Sequence, residues 1–419
     1  MKVLWIVNIL FPEAAQLLNA TDDFKRSGGW MLAAAEAVVQ NDTIELSVLS
    51  VSDKVKELTE LQGRQIKYYI IPRCKRINGY EPYMIQANEK FQPDVVHIHG
   101  TEFPYGKKWL DVCPVDNVVV SIQGLVSVIA RYYRTGLTWW EIVRDVTVRD
   151  LMRKTILGEQ REFYRRGRIE TEVIGKVQHV IGRTSFDRAH CEAINPSVHY
   201  HFCNETLRPE FYDSSRWNYM DCKKRSIFLS QATYPIKGLH QVLRALPIVI
   251  RQYPDVQVRI AGGDITSCDT IKKRLRRSGY GKIIRRMIQE NHLEGHVTFT
   301  GALNAEQMKQ EYLMSNLFIC PSSIENSSNS LAEAQLLGVP CLSSYVGGLM
   351  DMIPNNESGE LYRFEETEMM AWKICRWFEQ SASFDNNELV RMAFQRHNRD
   401  INSDVLISVY QQIIQSKKR

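Results

Sequence analysis

No apolar run in the 419 residues approaches the roughly 20 consecutive residues that a transmembrane helix needs, so any membrane contact is expected to be peripheral. Nine cysteines are scattered through the chain, with no Cys-x-x-Cys pair and no zinc-type spacing. That pattern argues against a structural zinc site and for reduced core thiols in a cytosolic protein. Charge of one sign is scarce too: the formal net charge is +5, too small an average to define a partner. The opening Met1-Lys2-Val3-Leu4-Trp5-Ile6-Val7 meets Asn8, Pro12 and Glu13 too soon for a secretion leader and reads as a first buried strand. With 44% hydrophobic and 24% charged residues the chain is globular, and its length suits two domains better than one core.

The most informative stretch is Ser322-Ser323-Ile324-Glu325-Asn326-Ser327-Ser328-Asn329-Ser330-Leu331-Ala332-Glu333. Leu317 to Cys320 is a short apolar run stopped by Pro321, as at the end of a buried parallel strand. Ser327, Ser328 and Asn329 then open a helix marked by Leu331, Ala332, Ala334, Leu336 and Leu337. A helix start offers unpaired N–H groups and a partial positive charge, and so can hold a diphosphate without a basic side chain. Carboxylates are poor neighbours for phosphate but good acceptors for sugar hydroxyls. The pattern therefore suggests a nucleotide-sugar, with Glu325 toward the hexose and Glu333 toward the ribose. The plain alternative is that Glu325 caps the helix and Glu333 is a solvated helix residue.

Glu325 to Glu333, with Ala334 and Gly338-Val339-Pro340, resembles the Glu-x7-Glu signature of the family 4 retaining glycosyltransferases, which have the GT-B fold. The resemblance covers most of both halves. It implies an α/β protein of two doubly wound Rossmann-like domains facing a cleft. We expect an acceptor-side domain at 1–207 and a nucleotide-sugar domain at 208–399, with a helix at about 400–419 packing back on the first.

In the first half, Ser27-Gly28-Gly29 opens an Ala-rich helix from Trp30 to Gln40 after an irregular polar loop. The resemblance places Gly28 and Gly29 at the donor phosphates. Pro93 to Gly100 is similar to the family's Pro-Asp-Val-Val-His-x-His-Gly, and His99 at the strand's end is the expected cleft residue. His97 reads equally well as a hydrogen-bonded core histidine. Val118 to Gly124 ends a strand at the same edge, with Gln123 where relatives carry a histidine that contacts the donor sugar. Glutamine cannot titrate, so no general base is expected there.

Between Arg131 and Lys176, cations alternate with Tyr132, Tyr133, Trp139, Trp140, Phe163 and Tyr164. This fits a membrane interface or a glycolipid acceptor. An ordinary solvated helical pair fits as well, because acidic residues are interspersed.

In the second half, Lys237-Gly238 at a helix start resembles the family's diphosphate-binding Lys-Gly. Lys237 is the expected electrostatic catalyst, neutralising the departing diphosphate. Relatives pair it with an arginine six residues earlier, where this chain has Gln231. Gly262-Gly263-Asp264 ends a further strand, with Gly263 expected at the nucleotide. Lys272 to Arg286 is a basic block without an acidic residue. It suits a solvated face, anionic lipid or a phosphorylated acceptor, and no recognised nucleic-acid motif accompanies it.

No Asp-x-Asp occurs, which speaks against a metal-dependent GT-A enzyme and for one with no metal and no cofactor. We expect Lys237 and Glu325 to be catalytic, and Gly28, Gly29, His99, Gln123, Gln231, Gly263, Ser327, Ser328, Asn329 and Glu333 to bind the donor. The expected partners are a nucleotide-sugar and a glycan or glycolipid acceptor, with peripheral contact to an anionic membrane and no nucleic acid. The setting implied is the cytoplasmic face of a bacterial membrane, in surface-polysaccharide assembly. A GT-B-fold sugar-nucleotide epimerase and a catalytically silent sugar-nucleotide or polysaccharide binder are the alternatives.

Overall fold

The computed structural model describes residues 1–19, 29–213 and 215–417. Two compact units emerge: Met1–Ser127 with Arg165–Arg208 and His397–Arg419, and Val128–Tyr164 with Pro209–Arg396.

The first unit is built on β1 (Lys2–Ile6), β2 (Glu45–Ser52), β3 (Thr59–Gln62), β4 (Lys67–Pro72), β5 (Val95–His99), β6 (Val118–Ser121), β7 (His179–Gly182) and β8 (His199–Phe202). Their order is β3-β4-β2-β1-β5-β6-β7-β8. All neighbours are parallel except β3, which runs antiparallel to β4 at the edge. The central strands are buried on both faces because helices cover both, which is why Val3 to Ile6 and Val118 to Val120 read as unbroken hydrophobic runs. Pairing puts Val3 beside both Leu46 and Val95.

A polar chain crosses this core. Trp5 Nε1 donates to Tyr410 Oη at 2.9 Å, Tyr410 Oη meets His97 Nδ1 at 2.7 Å, and His97 Nε2 meets Ser121 Oγ at 2.5 Å. With the tyrosine accepting from tryptophan and donating to Nδ1, the imidazole is neutral with its proton on Nε2. The network ties helix Arg399–Lys417 to the sheet of the first unit.

The second unit holds β9 (Ser226–Leu229), β10 (Gln257–Ile260), β11 (Val297–Phe299), β12 (Leu317–Cys320), β13 (Cys341–Ser344) and β14 (Glu360–Tyr362). All are parallel, in the order β11-β10-β9-β12-β13-β14. This is the doubly wound arrangement whose direction reverses between β9 and β12, and ligands bind beyond the carboxyl ends of strands at such a reversal.

Two local expectations need correction. The loop after β1 was expected to be irregular, yet Pro12–Leu17 is helical: Pro12 is preorganised for the first turn and Glu13 complements the helix dipole. Residues 128–164, expected within a first domain of 1–207, group with the second unit. Two of their acids find partners elsewhere in the second unit, while Arg131, Arg153 and Lys154 stay exposed. Glu141 meets Arg244 at 3.0 Å, Asp145 meets Arg286 at 2.9 Å, and Thr147 Oγ1 donates to the Arg277 carbonyl at 3.0 Å. His240 Nε2 adds a bond to the Thr135 carbonyl at 3.1 Å.

Candidate functional site

The site grows from the two loops that flank the reversal point of the second sheet. After β9 the chain turns through Pro235–Lys237 and passes Gly238 at φ +69 before helix Leu239–Gln252. A Cβ at Gly238 would lie 1.7 Å from the Pro321 carbonyl oxygen, so only glycine lets the loops after β9 and β12 approach this closely. Ser323 N donates to the Ile236 carbonyl at 2.8 Å and stitches the same two loops together.

Their side chains then meet. Lys237 Nζ sits 2.8 Å from Glu325 Oε2, both groups about a fifth exposed. Burial pulls the Lys237 ammonium toward neutrality, but the adjoining Glu325 charge and hydrogen bond outweigh it and hold the group above the ordinary lysine range. It is therefore a fixed cation at any physiological pH.

Glu325 is positioned from three sides. Ser322 Oγ donates to its Oε2 at 3.1 Å, and Gly348 N donates to its carbonyl at 3.0 Å. Gly347, at φ +54, passes so close that a Cβ there would lie 2.0 Å from that carbonyl. Behind them, Ser344 Oγ at the end of β13 donates to the Ser322 carbonyl at 2.5 Å. Ser322 and Gly347 were not anticipated as site residues, although a Gly-Gly turn after an apolar strand was visible as a signal.

Ser328 caps the helix Asn329–Leu336 by accepting from Leu331 N at 3.3 Å. Glu325 is therefore not the cap. Asn329 and Ser330 are the first two residues of that helix, where N–H groups face its open end, and Asn329 Oδ1 is buried without a partner among the described residues. Ser327 Oγ and Ser328 N point instead to the Met352 sulfur, at 3.8 and 3.3 Å. Glu333 is buried at 4% exposure, which removes the solvated-residue alternative.

Gln231, in the same loop as Lys237, is exposed, and Tyr234 Oη donates to its Oε1 at a long 3.5 Å. Gly263 follows β10 and borders an opening of about 560 Å³ with Thr233, Arg149, Arg276 and Arg277. Arg149 comes from the 128–164 segment, and nothing in its sequence placed it there.

The remaining expected residues belong to the first unit. Gly28 lies outside the described residues, and Gly29 opens helix Gly29–Val38. His99 ends β5 and, with Trp30, Arg183, Asn204 and Glu205, lines a cavity of about 60 Å³. Both its ring nitrogens are buried without partners among the described residues, and burial brings it down to about 3, so it is neutral. Gln123 Nε2, Asn204 Oδ1 and Glu205 Oε2 are unpaired in the same way, although Arg183 pairs with Glu205 and donates to the Gln123 carbonyl at 3.0 Å. Unmet donors and acceptors of this kind are what a hydroxyl-rich ligand or ordered water satisfies. His97, by contrast, is fully engaged in the core.

Two doubly wound units, the second with a cation, a carboxylate and a capped helix start at its reversal point, define a GT-B protein, and comparison with solved structures agrees. Sucrose-phosphate synthase from Thermosynechococcus elongatus overlays with a TM-score of 0.69 at 15% identity, over 99% of this chain and 99% of that one. The Anabaena protein HepE in complex with UDP and glucose gives 0.67 at 14%, over 98% and 99%.

Residues 217–393 match the family model described as Glycosyl transferases group 1. Among curated proteins, the chain is similar to D-inositol 3-phosphate glycosyltransferase of Mycolicibacterium smegmatis, at 25% identity over 49% of this chain and 44% of the relative. It is also similar to the GDP-mannose-dependent alpha-(1-6)-phosphatidylinositol monomannoside mannosyltransferase of the same organism, at 26% over 30% and 31%. The chain spans less than half the length of these curated relatives.

Proposed function

We propose that the protein is a retaining, metal-independent glycosyltransferase that moves a hexose from a nucleotide-diphospho-sugar to a lipid-linked or polysaccharide acceptor. The observation that carries this reading is the Lys237–Glu325 pair, held at the reversal point of the second sheet beside the Ser328-capped helix. In it, Lys237 and the Asn329 and Ser330 amides take the diphosphate, Glu325 turns to the sugar hydroxyls and Glu333 to the ribose. Gly263 flanks the nucleotide.

In the reaction, the bond from C1 to the diphosphate oxygen breaks with its electron pair leaving on phosphate. The acceptor oxygen bonds to C1 on the same face, and its proton passes to the leaving phosphate. Lys237 stabilises the charge that develops on that phosphate, which is where a preorganised cation gains most. No side-chain base is required, in keeping with glutamine at position 123. The setting we infer is the cytoplasmic side of a membrane, in surface-polysaccharide assembly. No helix among the described residues is long and apolar enough to cross one.

The test starts with a thermal-shift panel of nucleotide-sugars, led by UDP-glucose and GDP-mannose because those groups appear in the names of similar proteins. Transfer to lipid-linked acceptors in chelator, with the product's anomeric configuration read by NMR, follows. Retention in the presence of chelator supports the reading, and inversion or a strict metal requirement refutes that part of it. Donor binding without transfer would point to a silent binder, and a new sugar isomer without acceptor to an epimerase.

A further inference from the structure

Two short helices of the second unit, Val148–Met152 and Ile271–Arg276, lie against each other, tied by the Thr147 bond to the Arg277 carbonyl. Leu151 is 76% exposed, Met152 81% and Ile271 80%, with Val148 and Leu275 also exposed. Helix Ile271–Arg276 has no buried residue at all. An isolated helix this short is not stable by its own propensity, and an amphipathic one normally spends its apolar residues on a core. Here end caps hold both instead: Thr147 and Asp150 form a capping box on one, and Thr270 accepts from Lys273 N on the other. The apolar side chains are therefore presented rather than packed.

Around them positive charge predominates, although Asp269 pairs with Lys273 at 2.8 Å and Glu162 with Lys154 at 3.3 Å. Over 148–154 and 271–277 there are eight basic residues and one acid, Asp150, which is buried and engaged with Thr147 N. Arg153, Lys154, Lys272, Arg274 and Arg276 are exposed. Long basic side chains can lay their stems along apolar neighbours while their heads reach phosphate, the arrangement that suits the boundary between lipid headgroups and acyl chains. A second copy of the chain would bring the same positive surface against itself and be repelled.

We propose that the joined face of helices Val148–Met152 and Ile271–Arg276 docks on a lipid surface rich in anionic headgroups, with Leu151, Met152, Ile271 and Leu275 entering the interface. The inference deepens the membrane-associated part of the reading above. It rests on that part alone, since vesicle binding is read without sugar transfer, and loss of transfer with intact vesicle binding would refute only the enzymatic reading.

The full chain is sedimented with phosphatidylglycerol-containing vesicles and with pure phosphatidylcholine vesicles, at low and high salt. Two double variants are compared, Leu151→Glu with Met152→Glu and Ile271→Glu with Leu275→Glu, with Met220→Glu as a control at another exposed apolar position. Salt-sensitive partition onto the anionic vesicles, roughly tenfold weaker in each double variant and unchanged in the control, is the expected result. Unchanged thermal midpoints show that the variants remain folded, and should one double variant unfold, the other decides. Failure of the wild type to bind anionic vesicles, or wild-type binding by a folded double variant, overturns the proposal. So does a solution dimer that the double variants abolish, which would assign the face to a second copy.

Discussion

Lys237 Nζ and Glu325 Oε2 stand 2.8 Å apart, so each charge is balanced by the other. In the proposed function a diphosphate at Lys237 takes over that balance and frees the carboxylate for hydroxyl groups. Lys237→Ala does two things at once, removing the cation and leaving an uncompensated carboxylate facing an incoming anion. We expect turnover to fall by roughly two to three orders of magnitude. In a double-mutant cycle, Glu325→Gln should restore part of the donor affinity that Lys237→Ala loses. Strict additivity of the two changes in calorimetric donor binding would show that the pair does not act as a unit.

The close approaches at Gly238 and Gly347 lead to a second prediction. Gly347→Ala forces a methyl group into the Glu325 carbonyl and places alanine in the left-handed region, a strain on the order of 1–3 kcal/mol. The free energy of unfolding should drop by that amount, the thermal midpoint should fall accordingly, and donor binding should weaken with it. Gly263→Ala, where no atom lies within 4 Å of the added methyl, should leave stability nearly unchanged. Differential scanning calorimetry of the two variants side by side checks the contrast.

Glu333 and Ser328 separate binding from folding. Ser328→Ala removes the helix cap and should cost about 1 kcal/mol, read in a urea titration. Glu333→Ala should reduce the thermal shift produced by every uridine or guanosine donor. A donor-induced shift that survives this change intact removes the ribose assignment.

Burial brings His99 to about 3, and burial with the nearby Arg244 charge does the same to His240. Unfolded, each titrates near its ordinary 6.5. A histidine kept neutral in the fold binds its proton only on unfolding, so stability is full above about pH 6.5 and drains as the pH falls toward about 3. Each contributes a slope of up to roughly 1.4 kcal/mol per pH unit in that window. His240→Gln should make the decline between pH 6 and 4.5 shallower. A wild-type protein equally stable at pH 7 and pH 4.5 would contradict a neutral buried His240.

The alternation of strands and helices was legible because buried parallel strands leave unbroken apolar runs, as at Val118 to Val120 and Leu317 to Cys320. The small-residue turn after β12 likewise announced a helix start, and Ser328 occupies it. What could not be read was partnership between distant residues. The acids at 141 and 145 looked solvated because their partners Arg244 and Arg286 lie a hundred or more positions away. For the same reason residues 128–164 could not be assigned to the second unit. Edge strands β3, β8 and β14 went unseen, being three or four residues long and only partly apolar. Ser322 carried no mark beyond its proximity to Glu325.

The bond from Trp5 to Tyr410 joins residues 405 positions apart, and Pro209–Arg396 lies wholly within that interval. During synthesis the indole on β1 must wait for its partner until the second unit, which ends at Arg396, has been made. That strand is thus among the last to complete its contacts, and the portion bearing Lys237 and Glu325 has every opportunity to fold ahead of it. Ending the chain before Tyr410 should accordingly harm the first unit while sparing the second.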